Sequence, residues 1–157
     1  WFPKFFDEDQ AILVAELSET ILPKTDTPGA KDIGVDAFID HMVRRIYTQE
    51  EQQTFLDGLV EVNKMSEDIG NELFINLEKN QQNQVVEKLD QAVLEYDAYR
   101  SEEGQPFFSQ LKELTLLGYF TSEEIIKNHL QYVPIPTKFE GCTEVGNNQK
   151  IMVGNHV

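Results

Sequence analysis

The sequence predicts an all-α fold: a compact multi-helix domain over residues 1–130, then an irregular Pro/Gly-containing C-terminal arm over residues 131–157. Three observations predict it. Apolar residues recur at three-to-four spacing in successive segments, the period of a helix that buries one face. Two of those segments open on a Thr-x-x-Glu capping box, Thr48 with Glu51 and Thr121 with Glu124. No apolar–polar alternation strong enough for a sheet runs through the chain.

The first helix opens on Asp7-Glu8-Asp9, acids that offset the positive end of the helix dipole. Ile12, Leu13, Leu17, Thr20 and Ile21 carry its stripe, and Pro23 stops it. Residues 23–34 then give the strongest loop signal in the chain, with two Pro and two Gly. In this loop Asp26 and Thr27 adjoin Pro28-Gly29, where Pro28 sets φ for a turn and Gly29 tolerates φ > 0. Asp26, Pro28 and Gly29 are expected to hold the loop's shape. Val35 to Tyr47 reads as a second helix with Val35, Phe38, Ile39, Met42, Val43 and Ile46 on one stripe.

A third helix starts at Thr48 and carries Phe55, Leu59, Val62 and Met65, with Gly70 as punctuation and Leu73, Phe74 and Leu77 as a short apolar cluster. Residues 80–99 predict a fourth helix, its stripe running from Val85, Val86, Leu89 and Val93 to Tyr96 and Tyr99. Pro106 fits the first turn of a fifth, which continues through Phe107, Phe108, Leu111, Leu114 and Leu117 as core residues. Gly118 and Tyr119 are expected to end it. That helix has little polar surface and should be central. A short helix opened by Thr121 runs through Leu130. In the arm, Pro134 and Pro136 make Ile135 extended, and Ile151, Met152 and Val153 allow one short strand.

With 157 residues, the chain can bury about 68–70% of its unfolded surface without staples. Lys and Arg number 13 against 28 Asp and Glu, a formal net charge of −15. That balance excludes phosphate-backbone binding and polybasic docking on an anionic membrane. No apolar run reaches the ~18 residues that direct membrane insertion needs. The lone Cys142 forms no internal disulfide, zinc cage or CxxC pair. Residue 1 is Trp rather than Met, so the chain reads as a processed or trimmed product.

No constellation of reactive side chains stands out in the sequence. His41, His129 and His156 share no ligand spacing, and neither HExxH nor a phosphate-binding glycine loop is present. Cys142 follows Gly141 in a turn and has no base at a telling spacing. The pairs Asp36/Asp40 and Glu123/Glu124 fall on polar helix sides and read as solvated faces. No catalytic, cofactor-binding or metal-binding residue is assigned. A helical domain with an ordered loop and a long arm suits an interaction role.

Three segments carry a resemblance. They are Thr25-Asp26-Thr27-Pro28-Gly29-Ala30 with Gly34-Val35 and Phe38-Ile39-Asp40; Phe107-Phe108, Leu111 and the run Glu113 to Glu123; and Pro134-Ile135-Pro136 with Phe139-Glu140-Gly141-Cys142. In order and spacing, over roughly residues 9–143, the chain resembles the gluconate 2-dehydrogenase subunit 3 family. The tail from Thr143 to Val157 has no match to it.

The resemblance implies a non-catalytic small subunit with no cofactor of its own. Its implied partner is a flavin-dependent dehydrogenase subunit of the glucose–methanol–choline type, holding FAD and acting on a sugar, sugar acid or polyol. A cytochrome subunit can join it. The resemblance also implies a periplasmic or cell-envelope location, reached through a twin-arginine leader on the small subunit that carries the folded flavoprotein along. Pro134, Ile135, Pro136 and Phe139 are the candidates for partner contact, because extended apolar chain outside a helical core needs a surface to rest on, this domain or a partner's. Two other readings stay open: a standalone cell-envelope interaction module with a different partner, and a small enzyme built on a pair of buried carboxylates.

Overall fold

The structure, a computed structural model, describes residues 1–96 and 104–132, with Cys142, Glu144, Gly146, Lys150, Met152 and Val153. Among these residues the fold is all-α. Helices α1 (Glu8–Ile21), α2 (Val35–Ile46), α3 (Gln49–Gly70), α4 (Lys79–Glu95) and α5 (Phe107–Phe120) pack around one core. A 3₁₀ turn, Phe74–Asn76, joins α3 to α4, and a π-helical turn, Ile125–His129, follows α5. Gln131–Tyr132 (β1) then pairs in parallel with Met152–Val153 (β2), so the short strand allowed near 151–153 forms over its last two residues.

Local chemistry explains the helix ends. The Asp7 carboxylate accepts the Gln10 N–H at 2.8 Å and the Gln10 side chain accepts the Asp7 N–H, a reciprocal cap on α1. Thr48 and Glu51 form the expected box on α3. Gly34, at φ 72°, starts α2 in a left-handed conformation that a Cβ would strain. The far end of α2 is closed from α3: Gln52 Nε2 donates to the carbonyls of Val43 at 2.9 Å and Tyr47 at 3.2 Å.

The core is aromatic at one end. Phe55 is fully buried, with ring centroids at 5.0 Å from Phe107, 5.6 Å from Phe6 and 6.4 Å from Tyr47. A Cβ on Gly58 would collide with the Phe107 ring, so α3 and α5 approach closely there. As expected, α5 is central, packing on α1, α2, α3 and α4. Ser18 on α1 and Thr115 on α5 pair their buried hydroxyls at 3.4 Å.

Several expectations are corrected. Helix α4 stops at Glu95, with Tyr96 in extended conformation and its hydroxyl donating to the Gly104 carbonyl, so Tyr96 leaves the stripe; Tyr99 lies outside the described residues. Pro106 caps α5 from one place before its first turn. Gly118 sits inside α5: a Cβ there would lie 2.7 Å from Phe38 Cδ1, so this glycine serves the close approach of α5 to α2. The second capping box does not form. Thr121 closes α5 in a helical conformation rather than the extended one of an N-cap, and its hydroxyl turns back to donate to the Leu117 carbonyl at 2.6 Å; the Ser122 hydroxyl oxygen accepts the Ile125 N–H instead, at 3.4 Å. Ile12 and Ile46 face solvent.

Asp40 is the largest departure. The sequence reads it as solvated, yet it is 2% exposed. Its carboxylate accepts the successive N–H groups of Lys4, Phe5 and Phe6 at 2.9–3.2 Å. Those bonds place Phe6 in the core. A buried carboxylate is tolerated because three N–H donors replace its water.

Candidate functional site

The site builds from the loop between α1 and α2. Glu19, near the end of α1, turns its carboxylate into the loop and accepts the N–H of Lys24 and of Lys31, each at 3.0 Å. A Cβ on Gly29 would strike that carboxylate, so any larger residue there must push Glu19 away from the two N–H groups it holds. Asp32 accepts the Gly29 N–H at 3.2 Å and pairs with Lys24 Nζ at 2.9 Å. These contacts hold the Asp32 carboxyl below its ordinary range, the Lys24 bond first and the Gly29 N–H second, and raise Lys24. Asp26 is exposed and accepts the Thr25 hydroxyl at 3.0 Å. Ala30, just behind, is fully buried and donates its N–H to the Leu22 carbonyl.

Tyr119 of α5 fastens the loop from the other side. Its hydroxyl donates to the Pro28 carbonyl at 2.8 Å and lies 3.3 Å from Thr27 Oγ1, while its ring is buried. Two segments quoted for the resemblance thus meet at one hydrogen bond. Pro28 supplies the carbonyl that Tyr119 holds, and Asp26 lies at the rim; Gly29 does not take the positive φ expected of it, and its lack of a side chain instead makes room for the Glu19 carboxylate.

Beyond the loop lies an open cleft of about 930 Å³, walled by Lys24 to Pro28, Asp32 and Ile33 on one side and by Ser122 to Glu124 and Lys127 to His129 on the other. Its walls carry Asp26, Asp32, Glu123 and Glu124 against Lys24 and Lys127. Lys127 is paired with Glu123, whose carboxyl is held low by that bond, and Glu124 lies 4.0 Å from His129 Nε2. Lys150 donates to the Asn128 carbonyl, which ties part of the tail to this wall.

The face of α5 that ends two residues before Ser122 is apolar and exposed. Leu117 was expected in the core but is 47% exposed, and Phe120 is 48% exposed, with Leu116 beside them. Positions 113, 116, 117 and 120 share one side of a helix, while Leu111, Leu114 and Thr115 on the other sides are buried. Phe120 packs edge-on against Tyr119 at 5.2 Å.

Pro134, Ile135, Pro136 and Phe139 lie outside the described residues. Cys142 is exposed. Among the described residues Asp40 is the one buried acid, no His, Cys, Asp and Glu cluster suits a metal ion, and no helix is long and apolar enough to cross a membrane. Sequence reasoning missed the exposed face because Leu114 to Phe120 is apolar almost throughout.

No curated protein and no solved structure matches the chain significantly. The family model described as gluconate 2-dehydrogenase subunit 3 matches residues 8–137 and spans the loop, Tyr119 and the apolar face. The chain belongs to the gluconate 2-dehydrogenase subunit 3 family.

Proposed function

We propose that this chain is the non-catalytic small subunit of a flavin-dependent dehydrogenase complex. It binds and stabilises a catalytic subunit of the glucose–methanol–choline type, which holds FAD and oxidises a sugar or sugar acid, and it helps export that subunit to the periplasm or cell envelope. The observation that carries this reading is membership of the subunit 3 family over residues 8–137. The geometry supports it: a fastened loop beside an exposed apolar helix face offers a preorganised surface, and preorganisation lowers the cost of association. The three backbone donors on Asp40 give that buried acid a structural task.

The physical logic is that a flavoprotein already folded around FAD cannot pass a channel for unfolded chains. An escort bound to it supplies affinity and an export signal and needs no active site. A cytochrome subunit can join the complex as a third member. The test is to purify the full chain alone and with the flavin-dependent dehydrogenase encoded in the same genome. The expected result is a stable complex on a sizing column, with flavin absorbance confined to fractions that contain the catalytic subunit. Stoichiometric FAD on the isolated chain, or no complex, would overturn the reading.

A further inference from the structure

We propose that the α5 face of Leu116, Leu117 and Phe120, together with the cleft between the 24–33 loop and the 122–129 wall, is the surface on which the catalytic subunit docks, through an apolar patch rimmed by lysine and arginine. The inference rests on the small-subunit reading above.

The other sides of α5 are committed. Gly118 is pressed against Phe38 of α2, Thr115 bonds Ser18 of α1, and Phe107 packs on Phe55 of α3. Leu117 and Phe120 are left roughly half exposed, side by side on one turn. Single exposed apolar residues such as Val60 on α3 and Leu94 on α4 are ordinary. Three such residues together on one helix face, ending two positions before the cleft wall that starts at Ser122, are the pattern of an interface centre. Phe120 is also ordered before binding, because its ring rests on Tyr119 and Tyr119 is bonded to Pro28. Little side-chain entropy is left to lose there.

Charge selects the partner's rim. Glu113 lies on the same helix face, and the cleft walls bring four acids against two lysines. Both lysines already hold partners, Lys24 on Asp32 and Lys127 on Glu123, so they offer little to an incoming acid. With a net charge of −15 on the whole chain, the complementary surface is basic around an apolar centre. A standard interface covers about 800 Å² on each side, so the footprint extends from α5 over the cleft walls.

The experiment measures the affinity of the full chain for the FAD-loaded dehydrogenase subunit from the same genome, at low and high salt, with thermal melts of every variant. The double variant L117E/F120E should weaken binding about 100-fold or more, the loss expected when a charge enters an interface centre. V60E and L94E should bind as the parent does and leave the melts nearly unchanged, while L117E/F120E, which removes half-buried packing, should lower Tm by several degrees with the transition still cooperative. E113K/E124K should slow association and flatten its salt dependence. Parent-like binding by L117E/F120E would overturn the surface while leaving the small-subunit reading intact. So would loss of binding in I12E alone, which would move the interface to the groove of Trp1, Phe2 and Ile12. A homodimer of the isolated chain that L117E/F120E dissociates, with dehydrogenase binding unaffected, would assign the face to a second copy. No binding by the parent chain would overturn both readings together.

Discussion

The Asp40 carboxylate holds the backbone of Phe6: its Oδ1 accepts the Phe6 N–H at 3.0 Å inside the core, 34 residues away in sequence. The same group takes the N–H of Phe5 and Lys4. It therefore clamps the N-terminal segment onto α2 and seats Phe6 against Phe55. Asp40→Ala strands three donors and should cost about 3 kcal/mol, or roughly 6–12 °C in Tm for a chain of this size. Asp40→Asn keeps an acceptor oxygen and should lose less. Melts of both variants, with amide exchange at residues 4–6, check this.

Glu19 and Gly29 form one contact and should fail as one. Gly29→Ala drives a Cβ into the carboxylate that holds Lys24 and Lys31. It should destabilise by about 1–3 kcal/mol. In a Glu19→Ala background the obstacle is gone, so the same Gly29→Ala change should cost little. A double-mutant cycle on melting free energies reads this coupling directly.

The two close helix contacts should rank in order. Gly58→Ala meets the base of the buried Phe107 side chain, which cannot swing aside. Gly118→Ala meets the ring of half-buried Phe38, which can. Each gains about 1 kcal/mol of helix propensity. The expected net is a clear loss for Gly58→Ala, about 1–3 kcal/mol, and near neutrality for Gly118→Ala. Chemical denaturation of the two variants decides the order.

Acid dependence should pass in part through Glu51. The Thr48 N–H, and then its hydroxyl, hold the Glu51 carboxyl below its ordinary value. A carboxyl depressed in the folded state adds stability above its unfolded pKa and loses it as pH falls through the folded one. The stability gap between the parent chain and Glu51→Gln should therefore be constant at neutral pH and close below the ordinary carboxylate range. Comparing the two curves matters, because the relief of repulsion in a chain of net charge −15 is common to both. Melts across acid pH give the gap.

Local signals carried much of the fold into the sequence. Pro23, the Thr48–Glu51 box and the helical stripes are decided by neighbours within a turn or two, so the helices and the loop at 23–34 could be read directly. What stayed hidden depends on distant partners. Asp40 reads as a surface acid until residues 4–6 arrive over it. Gly118 reads as a helix end until Phe38, on another helix, explains it. Leu117 sits in a run with apolar residues on every side, so spacing alone cannot tell which face is left outside. The bond from Tyr119 to Pro28 spans 91 residues, and no single-sequence pattern encodes it.

Export reads the proposed escort role without an intermediate step. The complete gene, with whatever precedes Trp1, would be expressed with the flavin-dependent dehydrogenase of the same genome, and FAD-containing dehydrogenase would be quantified in the periplasm. The flavoenzyme should reach the periplasm with this chain present and stay in the cytoplasm without it. Equal amounts of periplasmic flavoenzyme with and without this chain would rule out the escort role.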